Sequence, residues 1–230
     1  MGYLLQPGGT GSWQTYLPFA WQQGAELVDG EEFTFNTPPM QEALDYYASY
    51  FGEGISPTDL AEGGLETGFI NGEIGAFISG PWHMGILADQ GGEEFADKWA
   101  LAPMPAEEAG TSFTGGGDLV VFKDSENRDT AWKFVDFLTQ NPQQQKLYDL
   151  VGSLPAVQST WQSGELSTDP LLKTFGDQLK DAKSAPAIAT WEEVAAPLDD
   201  AIEQVSLGAS DAEEALANAE GKANSIGFGN

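Results

Sequence analysis

In FINGEIGAFISGPWHMGIL, residues 69–87, Trp82 follows directly on Gly80-Pro81, and His83 comes next. An indole brings a large flat apolar face and one N–H donor, suited to covering the apolar face of a ligand or to filling a core. Asn71-Gly72 is turn chemistry. Ile74, Ala76 and Ile78 alternate as the buried face of a short strand would. Ser79 is placed to cap a following helix, and Pro81 suits its first turn. Trp82 is therefore expected in the first helical turn just beyond a strand, the loop-to-helix mouth where ligands of α/β proteins sit. A tryptophan packed into the core fits the same residues.

Other chemistries are excluded more simply. The chain has no cysteine and one histidine, which removes disulfides, thiolate catalysis, iron–sulfur clusters and zinc sites built on Cys or several His. His83 has no G-x-S-x-G partner for a serine triad. The glycine-rich GGTG at 8–11 and GGG at 115–117 match no phosphate-binding fingerprint. No catalytic residue, metal or cofactor is expected. Thirty-six Asp and Glu against nine Lys and Arg give a net charge of −27, a field that repels nucleic acid and anionic membrane surfaces. With carboxylates so abundant, some pairs fall close by chance, which weakens any glycosidase dyad read from sequence. No run approaches the roughly 18–20 apolar residues needed to span a bilayer. Met1-Gly2-Tyr3-Leu4-Leu5 has no basic region of the kind that opens a signal peptide.

The elements that must hold these residues follow from periodicity. Tyr3-Leu4-Leu5 reads as a short strand and Trp13 to about Gln23 as a helix. GAELVDGEEFTF reads as a turn and short strand. Thr37 is expected to cap a helix opened by Pro38-Pro39, with Met40, Ala43, Leu44, Tyr47 and Phe51 on its buried face. A further helix is expected over about 59–70. WALAPMP and LVVF (119–122) read as strands, the second compact and buried, and AEEAGTSFTGGG between them as a crossing loop. Ala131, Val135 and Leu138 face inward on a helix that also carries Trp132, read as a packing residue. Asn141-Pro142 opens another helix, and a short helical region follows near 169–180. Val194, Leu198, Ile202 and Val205 form a helical stripe, with Pro197 either kinking that helix or marking its start. Gly208 ends it, and Ser210 with Glu213 forms a capping box for a last helix carrying Leu216, Ala219, Ala223 and Ile226. Strands interspersed with helices indicate an α/β fold.

Four blocks, in order, resemble one family: the extracytoplasmic sugar-binding proteins of ABC importers, the maltose-binding-protein-like group. They are LQPGGTGSWQTYLPFAWQQGAEL, FINGEIGAFISGPW, GGGDLVVFKDSENRDTAWKFVDFLTQNPQQQKLYDLVGSLPAV and APAIATWEEVAAPLDDAIEQVSLGASDAEEALANA. The resemblance implies a type II periplasmic-binding-protein-like α/β fold. Such chains are usually nearly twice this length, so it implies a nearly complete C-terminal lobe with part of the N-terminal lobe. Residues 1–112 and 186–230 would belong to the C-terminal lobe, and 113–185 to the otherwise missing N-terminal one. It also implies a non-catalytic, monomeric substrate-binding component. Such a component holds a mono- or oligosaccharide between two lobes, delivers it to permease subunits, and works outside the cytoplasm, with export signal and lipid anchor beyond these residues.

Sugars present hydroxyls at the rim and flat C–H faces, so a binder needs planar aromatics and fixed polar groups. By resemblance, Trp82 and Trp191 fall where indoles stack on sugar rings, and Trp13 also stands at a loop–helix boundary. Gln14 and Glu192 lie beside two of these tryptophans. Gly116 and Gly117 permit close backbone approach or positive φ, and Asp118 follows them as a hydroxyl acceptor. Packing or hinge roles for the tryptophans, a linker for the glycines and a helix-dipole role for Glu192 with Glu193 stand as alternatives. The rival functions are a glycoside hydrolase using two carboxylates beside the tryptophans and a scaffold or adhesion module without a small ligand.

Overall fold

The computed structural model describes residues 2–59, 64–106 and 109–229. In chain order the elements are β1 (Tyr3–Leu4), α1 (Trp13–Gln22), β2 (Val28–Asp29), β3 (Glu32–Phe33), α2 (Pro38–Gly52), α3 (Gly64–Ile70), β4 (Ala76–Phe77) and α4 (Trp82–Gly91). They continue with β5 (Ser112–Phe113), α5 (Arg128–Leu138), α6 (Asn141–Val151), a 3-10 turn (Gln158–Gln162), α7 (Glu165–Thr168), α8 (Pro170–Gln178), β6 (Ala182–Lys183), α9 (Trp191–Ser206) and α10 (Ala212–Ile226). These fall into two units. One comprises Met1–Ile78, Met104–Thr114 and Asp181–Asn230; the other comprises Ser79–Pro103 and Gly115–Lys180.

In the first unit α1, α2, α9 and α10 enclose the core. Each presents a stripe at helical spacing: Met40, Ala43, Leu44 and Tyr47 from α2, Val194, Leu198 and Ile202 from α9, and Leu216, Ala219 and Ala223 from α10. Buried phenols find carbonyl acceptors, Tyr16 donating to Met40 at 2.6 Å and Tyr47 to Gln6 at 2.7 Å. Three two-stranded pairs flank these helices. β1 runs parallel to β4, β5 parallel to β6, and β2 and β3 form an antiparallel hairpin. The hairpin turns through Gly30 at φ +63°, which glycine alone adopts without a Cβ penalty.

The second unit packs α4 to α8 around a much smaller core, in which Leu87, Phe95, Leu166 and Leu172 are buried. The boundaries expected from sequence, 112/113 and 185/186, stand beside unit boundaries at Thr114/Gly115 and Lys180/Asp181. Ser79–Pro103 also groups with the second unit, where α4 shares a cavity wall with α6, α7 and α8.

Several local expectations change. Only Ala76–Phe77 of the opening alternation is a strand; Ile74 is buried while Ala76 is exposed. Ser79 makes no capping bond to α4, because its hydroxyl meets His83 Nδ1 instead. Thr37 does not cap α2 with its side chain. A capping oxygen needs the N–H of the second or third helical residue, and Pro39 removes the nearer donor. Asp211 rather than Ser210 caps α10, accepting from Glu214 N at 2.8 Å. Pro197 lies inside α9, which begins six residues earlier at Trp191. WALAPMP and LVVF form no strand, and Trp132 is exposed. The helix expected from about 59 is seen from Gly64; residues 60–63 lie outside the described residues.

Candidate functional site

Trp82 opens α4 and is 61 % exposed. The reason for the glycine before it is steric. A Cβ on Gly80 would lie 2.0 Å from Cζ3 of the Trp82 ring, so the indole folds back over a backbone that only glycine leaves bare. Pro81 then starts the helix, and the His83 ring stands 6.1 Å from the indole at a tilt of 45°. A large planar ring is thus held against its own backbone while much of its surface stays open.

A cavity of about 300 Å³ lies along the start of the same helix. Pro81, Met84 and Gly85 from the start of α4 form one wall; Tyr148, Asp149 and Leu150 at the end of α6, Glu165 of α7 and Leu172 of α8 complete it. Gly152 closes α6 in the left-handed conformation at φ +68°. Asp149 Oδ1 accepts from Gln145 Nε2 at 2.9 Å. Asp169 caps α8 by accepting from Leu171 N and Leu172 N, at 2.7 and 3.2 Å, and so fixes the Leu172 wall. Burial first, and then the charges of Glu165, Asp169 and Asp149, push the Tyr148 phenol above its ordinary pKa. Tyr148 therefore stays protonated as donor and acceptor at neutral pH. Phenol, carboxylates and apolar walls make a cavity of the kind that takes a polyhydroxylated ligand.

The first unit holds a second aromatic group. Trp13 and Trp191 meet edge to face at 5.1 Å, and Phe113 stands edge-on to Trp13 at 5.3 Å. Their position is set by Asp199 of α9, which accepts from Gly11 N at 2.9 Å and from Ser12 Oγ and Trp13 N at 2.8 Å each. One buried carboxylate thereby ties the glycine-rich loop before α1 to α9.

Trp13 and Trp191, expected to offer ring faces to a ligand, are 4 % and 7 % exposed in this structure and have little surface to give. They lie in the core because α1 and α9 turn their first residues inward. Trp191 Nε1 is buried and makes no hydrogen bond among the described residues. Gln14 and Glu192 are both exposed, at the starts of the same two helices. Gly116, Gly117 and Asp118 are exposed and belong to neither helix nor strand. None of Gly115, Gly116 and Gly117 takes a positive φ, and a Cβ on Gly116 or Gly117 would meet nothing within 4 Å, so no close approach requires glycine there.

The structure thus brings Trp13 and Trp191 together in the first unit, with Gln14 and Glu192 at the same helix starts. Trp82 and Asp118 belong to the second. Tyr148, Asp149, Glu165 and Asp199 were missed by sequence reasoning. Asp199 carried a signal, a carboxylate adjoining the buried stripe of α9. The other three carried none: acidic residues are everywhere in this chain, and Tyr148 sits in α6 with no distinguishing local pattern.

Residues 3–145 match the family described as bacterial extracellular solute-binding protein. A Brucella abortus relative is 29 % identical over 218 residues, covering 92 % of this chain and 52 % of that protein. A maltooligosaccharide ABC transporter solute-binding lipoprotein of Streptococcus pneumoniae is 27 % identical over 182 residues, covering 76 % of this chain and 42 % of its own. Among solved structures, the sugar-binding protein MalE of Xanthomonas citri superposes with a TM-score of 0.88 at 27 % identity, covering 98 % of this chain and 57 % of that one. The chain spans about half the length of the curated relatives it matches. Its fold is that of the type II periplasmic-binding proteins over the matched part, and the chain belongs to the bacterial extracellular solute-binding protein family.

Proposed function

We propose that this chain is part of the substrate-binding component of an ABC importer, holding a mono- or oligosaccharide in a cleft between two lobes and delivering it to permease subunits outside the cytoplasm. The observation that carries the reading is Trp82, an open indole laid on Gly80 at the start of α4, the helix whose Pro81, Met84 and Gly85 line a cavity with Tyr148, Asp149 and Glu165. The ring covers the apolar face of a sugar, and the phenol and carboxylates take its hydroxyls. Relatives named for maltotriose and maltooligosaccharides support the ligand class. Gln14, Glu192 and Asp118, all exposed, serve as further hydroxyl partners. Trp13 and Trp191 hold the helix starts that carry Gln14 and Glu192, and Gly116 and Gly117 supply the freedom of a crossing between lobes. In this reading residues 1–112 and 186–230 make most of the C-terminal lobe and 113–185 belong with a lobe completed by further sequence. Ligand shifts an open–closed equilibrium by its greater affinity for the closed form.

Calorimetry of the full-length protein and of residues 1–230 against a panel of mono- and oligosaccharides tests this. At least one sugar is expected to bind the full-length protein, and the 230-residue chain to bind it far more weakly. Indifference to every sugar, with binding of a peptide or polyamine, overturns the ligand class. Asp149 and Glu165 share one cavity, which is the arrangement a glycoside hydrolase needs in outline. Turnover of a chromogenic glycoside, abolished by Asp149→Asn or Glu165→Gln, favours that reading instead.

A further inference from the structure

The cavity along the start of α4 carries charge of one sign. Asp149 and Glu165 stand in its wall, and no lysine, arginine or histidine is among the described residues that line it. Neither carboxylate forms an ion pair with another described residue; Asp149 takes only a neutral hydrogen bond, from Gln145 at 2.9 Å. After burial, what holds the Tyr148 phenol above its ordinary range is the negative charge of Glu165, Asp169 and Asp149. Asp169 is engaged by the N–H groups of Leu171 and Leu172 at the start of α8, and it does not line the cavity. A carboxylate that no protein cation compensates gains most from a ligand bringing its own positive charge.

The kind of cation follows from the rest of the wall. A metal ion is a poor occupant, because no group of three or more side chains able to hold one occurs among the described residues. Met84, Leu150 and Leu172 are apolar and favour an organic body, and about 300 Å³ is at the small end for ligand cavities. We propose that this cavity selects a sugar bearing a protonated amine, its ammonium donating to Asp149 and Glu165 and its ring hydroxyls meeting Tyr148. The proposal rests on the sugar-binding reading above and narrows it from sugars in general to amino sugars. Both carboxylates are exposed, so water weakens each ammonium contact, and the two together should give selectivity on the order of tenfold.

Calorimetry of the full-length protein against matched trios tests this. Each trio holds a neutral sugar, its amino form and its N-acetylamino form, such as glucose, glucosamine and N-acetylglucosamine, with galactose and disaccharide series beside it. The buffer is mildly acidic, so that the amine keeps its proton. The N-acetyl member retains the nitrogen without the charge and controls for size. In the series that binds, the amino member is expected to bind on the order of tenfold more tightly than the other two, an advantage that shrinks as sodium chloride screens the charges. Glu165→Gln with Asp149→Asn keeps hydrogen-bonding side chains and removes the charge, so the affinity ratio of amino to neutral member should fall to about one. Neutral members binding as tightly as the amino one, or a ratio unchanged in the double variant, overturns the proposal and leaves the sugar reading standing. Absence of binding by every trio overturns it as well, while the wider sugar panel decides the sugar reading separately.

Discussion

Trp82 and Gly80 act as a pair, and they separate ligand binding from stability. Trp82→Ala removes a ring that is mostly open to solvent, so the fold should lose little, while sugar affinity should fall about tenfold or more, some 1.4 kcal/mol. Gly80→Ala drives a methyl group into the indole, whose ring edge would stand 2.0 Å away. The side chain can swing out, so calorimetry should register lost affinity with a small change in melting temperature. Asp199 behaves in the opposite way. Asp199→Ala leaves the backbone N–H of Trp13 and the hydroxyl of Ser12 without their acceptor inside the core. Each orphaned group costs about 1–3 kcal/mol, so urea unfolding of this variant should show a loss of about 3 kcal/mol or more.

At the scale of elements, helix caps give a clean comparison. Asp211→Ala should cost about 1 kcal/mol, the usual value of an N-cap. Ser210→Ala should cost less than half of that, because the Ser210 hydroxyl reaches only the Asp211 carbonyl at 3.3 Å. Ser210-x-x-Glu213 and Asp211-x-x-Glu214 both satisfy the capping pattern, and sequence spacing alone does not choose between them. The helices of the first unit were legible for the converse reason: Met40 to Phe51 and Val194 to Val205 repeat at one period and bury one face. LVVF was misread because apolar, β-branched composition was taken as a buried strand, whereas residues 119–122 form no strand and Leu119, Val120 and Phe122 stand exposed. The candidate site was legible at Trp82 through Gly80-Pro81. At Tyr148, Asp149 and Glu165 it was not, since a cavity joining α4, α6 and α7 depends on tertiary packing that leaves no local pattern.

For the whole molecule, charge is the dominant fact. Thirty-six carboxylate side chains against nine cations give self-repulsion that salt screens. Few of the described cations are engaged in ion pairs that salt would weaken: Lys180 with Asp177, Lys183 with Glu26, and Lys222 with Asp200, all at the surface. Melting temperature should therefore rise between low salt and about half-molar sodium chloride, by about 2–4 °C for each kcal/mol of repulsion removed. A fall would show that attractive surface pairs outweigh the excess negative charge. The same imbalance disfavours anionic ligands.

The open ring and the two buried ones make opposite predictions in a single spectrum. Indole N–H resonances of the ¹⁵N-labelled full-length protein, assigned by Trp→Phe substitution, can be followed while a maltooligosaccharide is added. The account predicts that Trp82 shifts saturably while Trp13 and Trp191, packed edge to face in the core, move little. A titration in which Trp82 stays fixed while the sugar binds, with the change confined to Trp13 and Trp191, would contradict it.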